Sequence, residues 1–184
     1  IIQAPAKPAI LPGCIAGSSV LSRIVTDKFL HHIPEYRQAV RFKEFGMDIT
    51  TSSINRWVHA IADRLYPLYV AQVNRVLSSD YIQVDETTMA INDRPGKTRK
   101  GYFWAVRSVQ TPGLFFHYDK GSRSQEVVVK LLKDYRGALQ SDGYAAYSIY
   151  EDKKGVLPLA CMAHVRRKFE NALKYHPEAK TALD

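Results

Sequence analysis

The hydrophobic pattern of this chain changes period once, at Ser78-Ser79, and that change limits the possible folds more than any other feature. Before it, apolar residues recur at helical spacing. After it, they alternate as strands do. Val20, Leu21, Ile24 and Val25, followed by Phe29, predict a first helix. Pro34 suits the first turn of a second helix carrying Tyr36, Val40 and Phe45, which Gly46 ends. The run TTSS at 50–53 is a helix start, and Ile54, Trp57, Val58, Ile61 and Leu65 behind it form one apolar stripe. Pro67 kinks or restarts that helix, which runs on to about Leu77. Residues 1–19, broken by proline and glycine, read as a linker.

Three strands follow: YIQVDETTM (81–89), GYFWAVRSV (101–109) and LFFHYD (114–119). NDRPGKTRKG (92–101) reads as a basic turn, and Thr111-Pro112-Gly113 as a tight one. Alternation sends Phe103 to one face of its strand and Tyr102 and Trp104 to the other. Ser122 with Gln125 predicts a capping box, opening a helix with Val127, Val128, Leu131 and Leu132 on its face. GALQSD (137–142) reads as a short strand, YAAYSIYE as a helix, and LPLACMA (157–163) as a buried strand. HVRRKFENALKYH (164–176) reads as a basic helix limited by Pro177. The order is βββ-α-β-α-β-α. The expected class is α/β, a mixed sheet preceded by a small helical segment. The expected divisions are a linker at 1–19, a helical segment at 20–78 and a sheet domain at 79–184.

Composition narrows the function. With 184 residues, 46% hydrophobic and 24% charged, the chain is globular rather than disordered. A net charge of +8 points to a polyanionic partner. No apolar run is long enough for a transmembrane helix, and Pro and Lys interrupt any secretory signal at the start. The chain has no initiating Met, and the expectation is a piece of something longer. Cys14 and Cys161 cannot build a disulfide framework, so a reduced, cytoplasmic setting is expected.

Two aspartates carry the candidate chemistry. Asp85 ends the apolar half of the first strand, and Asp142 ends the fourth, just before Gly143. In a sheet of this order those strands can lie side by side, which brings the two acids to one edge. Carboxylates held that close repel unless a cation lies between them. Mg²⁺ and Mn²⁺ prefer oxygen ligands, and a pair of such ions clamps both oxygens of a phosphoryl transfer. The competing explanation for an Asp at a strand end is a turn former or helix cap. Glu86, beside Asp85, points to the opposite side of the strand and reads as a supporting or surface residue.

VDET (84–87), LQSDGYAAY (139–147) and CMAHVRRKF (161–169) resemble the core of the insertion-sequence-66 transposase family. DKFLHHIPEYRQAVRFKEFGMDITTSSINRW (27–57) resembles the helical segment before that core, so the resemblance covers roughly residues 15–184. It implies a ribonuclease H-like fold and Mg²⁺-dependent cleavage and joining of DNA strands at the ends of mobile elements. The implied partners are transposon ends and target DNA, in a homo-oligomeric complex in the bacterial cytoplasm, at the nucleoid. Asp85 matches the first acid of the family's triad and Asp142 the second, 57 residues on. The third acid, a Glu in an Asn-Asn-x-x-Glu-Arg context, has no match before Asp184, which implies that the chain alone is inactive. The family's Cys-rich zinc module also has no counterpart. Glu170, on the last helix, is an alternative third ligand. Its spacing from Arg166 and Arg167 equally fits a helix-surface ion pair.

The bases complete the reading. Arg94, Lys97, Arg99, Lys100 and Arg107 lie in a stretch without acids and would form a charged finger beside Asp85. His164, Arg166 and Arg167, whose block recurs beside the second acid in the family, are candidates to contact phosphate. Residues 35–65 fit a helix–turn–helix whose second helix would present Asn55, Arg56 and His59 to DNA, or else a helical brace. Cys161 and His164 form a C-x-x-H pair, too few ligands for zinc, and Cys161 reads as core. His31-His32 reads as surface. PGKT (95–98) lacks the glycine and the following helix of a nucleotide-binding loop. The leading expectation is a DNA strand transferase. A non-catalytic DNA-binding module and a two-carboxylate sugar hydrolase are the alternatives, and the positive charge disfavours the last.

Overall fold

The computed structural model describes residues 9–94 and 96–183, without the side chains of Asp93 and Arg94. Its elements, in chain order, are α1 (Ser18–Phe29), α2 (Glu35–Glu44), α3 (Thr51–Leu77), β1 (Tyr81–Arg94), β2 (Lys97–Ser108), β3 (Gly113–Asp119), α4 (Gln125–Leu132), β4 (Gly137–Ser141), β5 (Val156–Ala160) and α5 (Met162–Ala172). Short 3₁₀ helices cover Ala145–Tyr150 and Pro177–Ala182. The chain divides into two compact units, up to Leu68 and from Tyr69 onward.

The first unit is helical. The core gathers Leu11, Leu21, Ile24, Ile54, Trp57 and Val58, so the early stripe of α3 and, from α1, Leu21 and Ile24 become its interior, whereas Phe29 is 61% exposed. Thr50 caps α3, its hydroxyl oxygen accepting the Ser53 N–H at 3.2 Å. The second helix differs from expectation. Tyr36, Val40 and Phe45 are exposed, and the residue α2 buries is Gln38. The Gln38 amide nitrogen donates to the carbonyls of Ile24 and Ile33, while its Oε1 is buried without a partner among the described residues, so a polar side chain stands where an apolar one was expected.

The second unit is a five-stranded mixed sheet in the order β3-β2-β1-β4-β5. The β1–β2 and β2–β3 pairs are antiparallel, and the β1–β4 and β4–β5 pairs are parallel. One face carries the core: Ile82 and Val84 of β1, Trp104 and Val106 of β2 and Phe115 of β3 meet the inward face of α4 and the 3₁₀ segment. The face predicted for α4, Val127, Val128, Leu131 and Leu132, is buried as expected. The last part of α3 belongs to this unit, because Tyr69, Val73 and Leu77 pack on the same cluster as Val76.

Four local expectations change. The β1–β2 hairpin runs to its tip, with Arg94 opposite Lys97, so most of 92–101 is strand rather than turn. Alternation within it is as expected: Trp104 is fully buried, and Phe103 lies on the other face, its ring 5.2 Å from that of Tyr118. The capping box does not form: Ser124 is the N-cap of α4, and the Ser122 hydroxyl accepts the Ser124 N–H instead. The YAAYSIYE stretch forms a 3₁₀ helix, burying Ala146, Tyr147 and Tyr150. Finally, β5 is an end strand of the sheet with Leu157 61% exposed, not a buried strand. Among the described residues no helix is long and apolar enough to cross a membrane.

Candidate active site

The parallel pairing of β1 with β4 sets the site. Its last matched residues are Gln83 and Gln140, whose side chains bond at 2.8 Å. They are 57 residues apart, the same offset that separates Asp85 from Asp142. Two residues beyond this pair stand Asp85, still within β1, and Asp142, one residue past the end of β4. Alternation gives Asp85 the face of Gln83, whereas Asp142 lies past the end of β4 and is not bound by that alternation. Neighbouring strands are about 4.8 Å apart, so the pairing of β1 with β4 brings the two aspartates into one neighbourhood.

The two acids differ in surroundings. Asp85 is exposed, and its Oδ1 accepts the Glu86 N–H at 3.0 Å. Asp142 follows the end of β4, where its Oδ1 accepts the Tyr144 N–H at 2.9 Å and its Oδ2 lies 3.5 Å from Arg123 Nη2. Gly143 makes the sharp departure possible, with φ of +77°.

Glu86 occupies the inner face, continuing the line of Ile82 and Val84, with a side chain only 2% exposed. Its Oε1 accepts from Arg123 Nε at 2.6 Å and also from Nη2, and its Oε2 accepts the Tyr147 hydroxyl at 2.9 Å. The alternation expected of Glu86 is present, yet the residue is neither idle nor on the surface. Burial works against the Arg123 charge, but the contacts with Glu86 and the charge of Asp142 outweigh it and raise the guanidinium above its ordinary value. Burial, then the charges of Glu86, Asp142 and Asp85, push the Tyr147 hydroxyl far up, so it stays a proton donor. Arg123 also lies over the Tyr144 ring, 3.7 Å from its centroid.

A cleft of about 410 Å³ opens beside Asp142, lined by Arg123, His164, Arg167 and Lys168 among others. His164 and Arg167 are thus brought to the second aspartate. Arg166 is not. It turns outward and pairs with Glu170 at 3.0 Å, and both side chains are about half exposed or more. That ion pair is the alternative foreseen for Glu170. Lys168 and Arg123 were not among the expected site residues. Arg123 has no sequence signal of its own, because its role depends on Glu86, 37 residues away.

The remaining candidates stand elsewhere. Lys97, Arg99 and Lys100 sit on the β1–β2 ribbon, which extends past the end of β3 pairing at Tyr102. Lys100 pairs opposite Ala90, five residues beyond Asp85, roughly 17 Å along the strand. Lys97, Arg99 and Lys100 therefore lead away from Asp85, whereas Arg107, the fifth base of the expected finger, pairs opposite Gln83, two residues from Asp85. The Arg94 side chain lies outside the described residues. In the helical unit Arg56 is exposed, while Asn55 donates to the Glu35 carboxylate at 3.0 and 3.3 Å. Burial opposes the Glu35 charge, but hydrogen bonds from Lys28 and Asn55 hold its carboxyl below the usual value. Cys161 is half-buried at the N-cap of α5, and the neighbouring His164 lowers the thiol from its ordinary value.

The family model described as "Transposase IS66 family" matches residues 13–184. The chain belongs to this transposase family. Three relatives from Sinorhizobium fredii (strain NBRC 101917 / NGR234) are similar to it. Uncharacterized protein y4jD is 31% identical over 97% of this chain and 38% of its own length. Uncharacterized protein y4qI is 27% identical over 92% and 34%. Uncharacterized protein y4hP is 31% identical over 92% and 32%. The chain thus spans about a third of the length of these curated relatives.

The donors fit a hard divalent cation. They are oxygen-only, and Mg²⁺ is held by one or two carboxylates completed by water and substrate phosphate rather than by an all-protein cage. Among the described residues no group of three or more His, Cys, Asp or Glu side chains is arranged as such a cage.

Proposed function

We propose that this chain carries part of the active site of a DNA strand transferase. In this reading the sheet is a ribonuclease H-like core, and Asp85 and Asp142 are its first two metal-holding acids. The observation that carries the proposal is the common 57-residue offset, which puts Asp85 and Asp142 each two residues beyond the Gln83–Gln140 pair of adjacent parallel strands. Strand order supports it as well, with three antiparallel strands leading into two parallel ones and β1 beside β4.

Mg²⁺ or Mn²⁺, when bound, would supply activation of water or a 3′-hydroxyl and stabilisation of the charged phosphate. The chain's own residues do the rest. The Tyr144 N–H fixes the Asp142 carboxylate, and the Glu86 N–H fixes that of Asp85. Arg167 and Lys168 give the cleft a positive wall, with His164 beside them, on which a phosphodiester is held next to Asp142. The basic β1–β2 ribbon, with Lys97, Arg99 and Lys100, tracks the DNA backbone further from the reacting centre. The helical unit, through Arg56, adds a second contact in the manner of a helix–turn–helix. In this reading the active complex is homo-oligomeric, and a third acid completes the metal site. The setting is the bacterial cytoplasm, at the nucleoid.

The test is strand cleavage by the natural full-length protein on DNA bearing its element ends. Asp85→Asn and Asp142→Asn each reduce cleavage to background while end binding stays close to wild type. Retained cleavage in either variant overturns the assignment.

A further inference from the structure

Glu86 raises a question that metal chemistry does not answer. A carboxylate buried to 2% exposure is costly unless it is paired and hydrogen-bonded. Arg123 and Tyr147 satisfy it fully. A counter-ion for Glu86 alone would need no more than that contact. Yet the same guanidinium also approaches Asp142, stacks on Tyr144 and lines the cleft with His164, Arg167 and Lys168. It keeps 34% of its side-chain surface exposed.

The donor count is informative. A guanidinium carries five N–H donors in a fixed fork. Here Nε and Nη2 serve Glu86 and Asp142, and Nη1 has no hydrogen bond to protein among the described residues. The geometry points to Arg123 as a phosphate clamp: a residue that binds a phosphodiester oxygen of DNA in the cleft beside Asp142, with Glu86 and Tyr147 as the positioning residues that hold it there. This rests on the proposed strand-transferase reading and adds to it a ligand for the substrate.

The physical basis is preorganisation. Arginine side chains lose much rotamer freedom when they grip a ligand. Arg123 is already held at two edges and one face, so a phosphate meets a fixed fork rather than a mobile chain. Glu86 anchors the fork from the side away from the cleft. Tyr147 stays protonated, so it holds the far oxygen of Glu86 across the whole working pH range.

The experiment uses this chain labelled with ¹⁵N-arginine and a short DNA duplex as the probe. The Arg123 Nε–H, bonded to Glu86, should give a protected resonance, assigned by its loss in Arg123→Lys. Adding DNA shifts that resonance if Arg123 holds phosphate. Glu86→Gln, which loosens the anchor, removes the protection and weakens DNA binding on the order of tenfold, a common cost of losing a supporting partner. Because Arg123→Ala alone strands a buried carboxylate, the pair Glu86→Gln with Arg123→Met removes both charges together. That double variant lowers the slope of log affinity against log salt by about one, the share of a single phosphate contact.

An unmoved Arg123 resonance at saturating DNA overturns the clamp, as does an unchanged salt slope in the double variant or a wild-type chain that does not bind DNA. The two readings fail separately. If Asp85→Asn abolishes cleavage but the Arg123 resonance ignores DNA, only the clamp is wrong. If Asp85→Asn still cleaves, the strand-transferase reading is wrong whatever Arg123 does.

Discussion

Arg123 Nε lies 2.6 Å from Glu86 Oε1, and this contact ties the loop before α4 to the inner face of β1. The two partners are unequal. Glu86 is buried, while Arg123 keeps a third of its surface in water. Removing the arginine therefore leaves an uncompensated buried carboxylate, whereas neutralising the glutamate leaves a cation with access to solvent. Arg123→Ala should cost about 3 kcal/mol, the low end for breaking a buried pair, because the guanidinium is partly exposed. Glu86→Gln should cost clearly less. Urea unfolding of both variants measures the order, and equal costs would show that burial of Glu86 is not what makes the pair matter.

Gly137 begins β4, the strand that delivers Asp142, with φ of +125°. A Cβ there would stand 2.5 Å from the Asp80 carbonyl oxygen and 2.8 Å from the Tyr135 hydroxyl. Backbone cannot give way as a flexible side chain does. Gly137→Ala should destabilise the protein by at least about 1–3 kcal/mol, the cost of a strained backbone before any clash. A thermal melt decides it. An unchanged midpoint would mean that β4 does not need this turn to pair with β1.

Cys161 offers a chemical readout of the cleft wall. The neighbouring His164 favours the thiolate and moves the thiol below its ordinary value. In a Cys14→Ser background, the rate of alkylation by iodoacetamide should therefore rise at lower pH than for an ordinary thiol. His164→Ala should move that rise back to higher pH. A profile unchanged by His164→Ala would remove the Cys161–His164 interaction from the account.

Much of this was legible in the sequence for a physical reason. The change of period at Ser78-Ser79 reports burial directly, so the helical segment, the three-strand meander and the face of α4 all follow from it. The nearness of Asp85 and Asp142 to the Gln83–Gln140 pair follows from strand order and an equal offset, both of which are countable. The misreadings share a cause. Gln38 is buried because two carbonyls happen to meet its amide, which apolar spacing does not encode. The residues of 92–101 look like a turn one by one, but cross-strand pairing extends them to the hairpin tip. Arg123 and Lys168 are site residues only through folding, since the one depends on Glu86 and the other on the wall that α5 presents to Asp142. Arg166 and Arg167 are adjacent in sequence, yet the helix turns one to Glu170 and the other to the cleft.

The central claim is that Asp85 and Asp142 act together on one cation. Titration of Mn²⁺ into this chain, with free ion followed by electron paramagnetic resonance, measures it most directly. The account predicts a saturable site in the wild-type chain that Asp85→Asn and Asp142→Asn each weaken by about tenfold or more, because each removes one of two carboxylate ligands. Binding that is absent from the wild-type chain, or that survives unchanged in either variant, would contradict it.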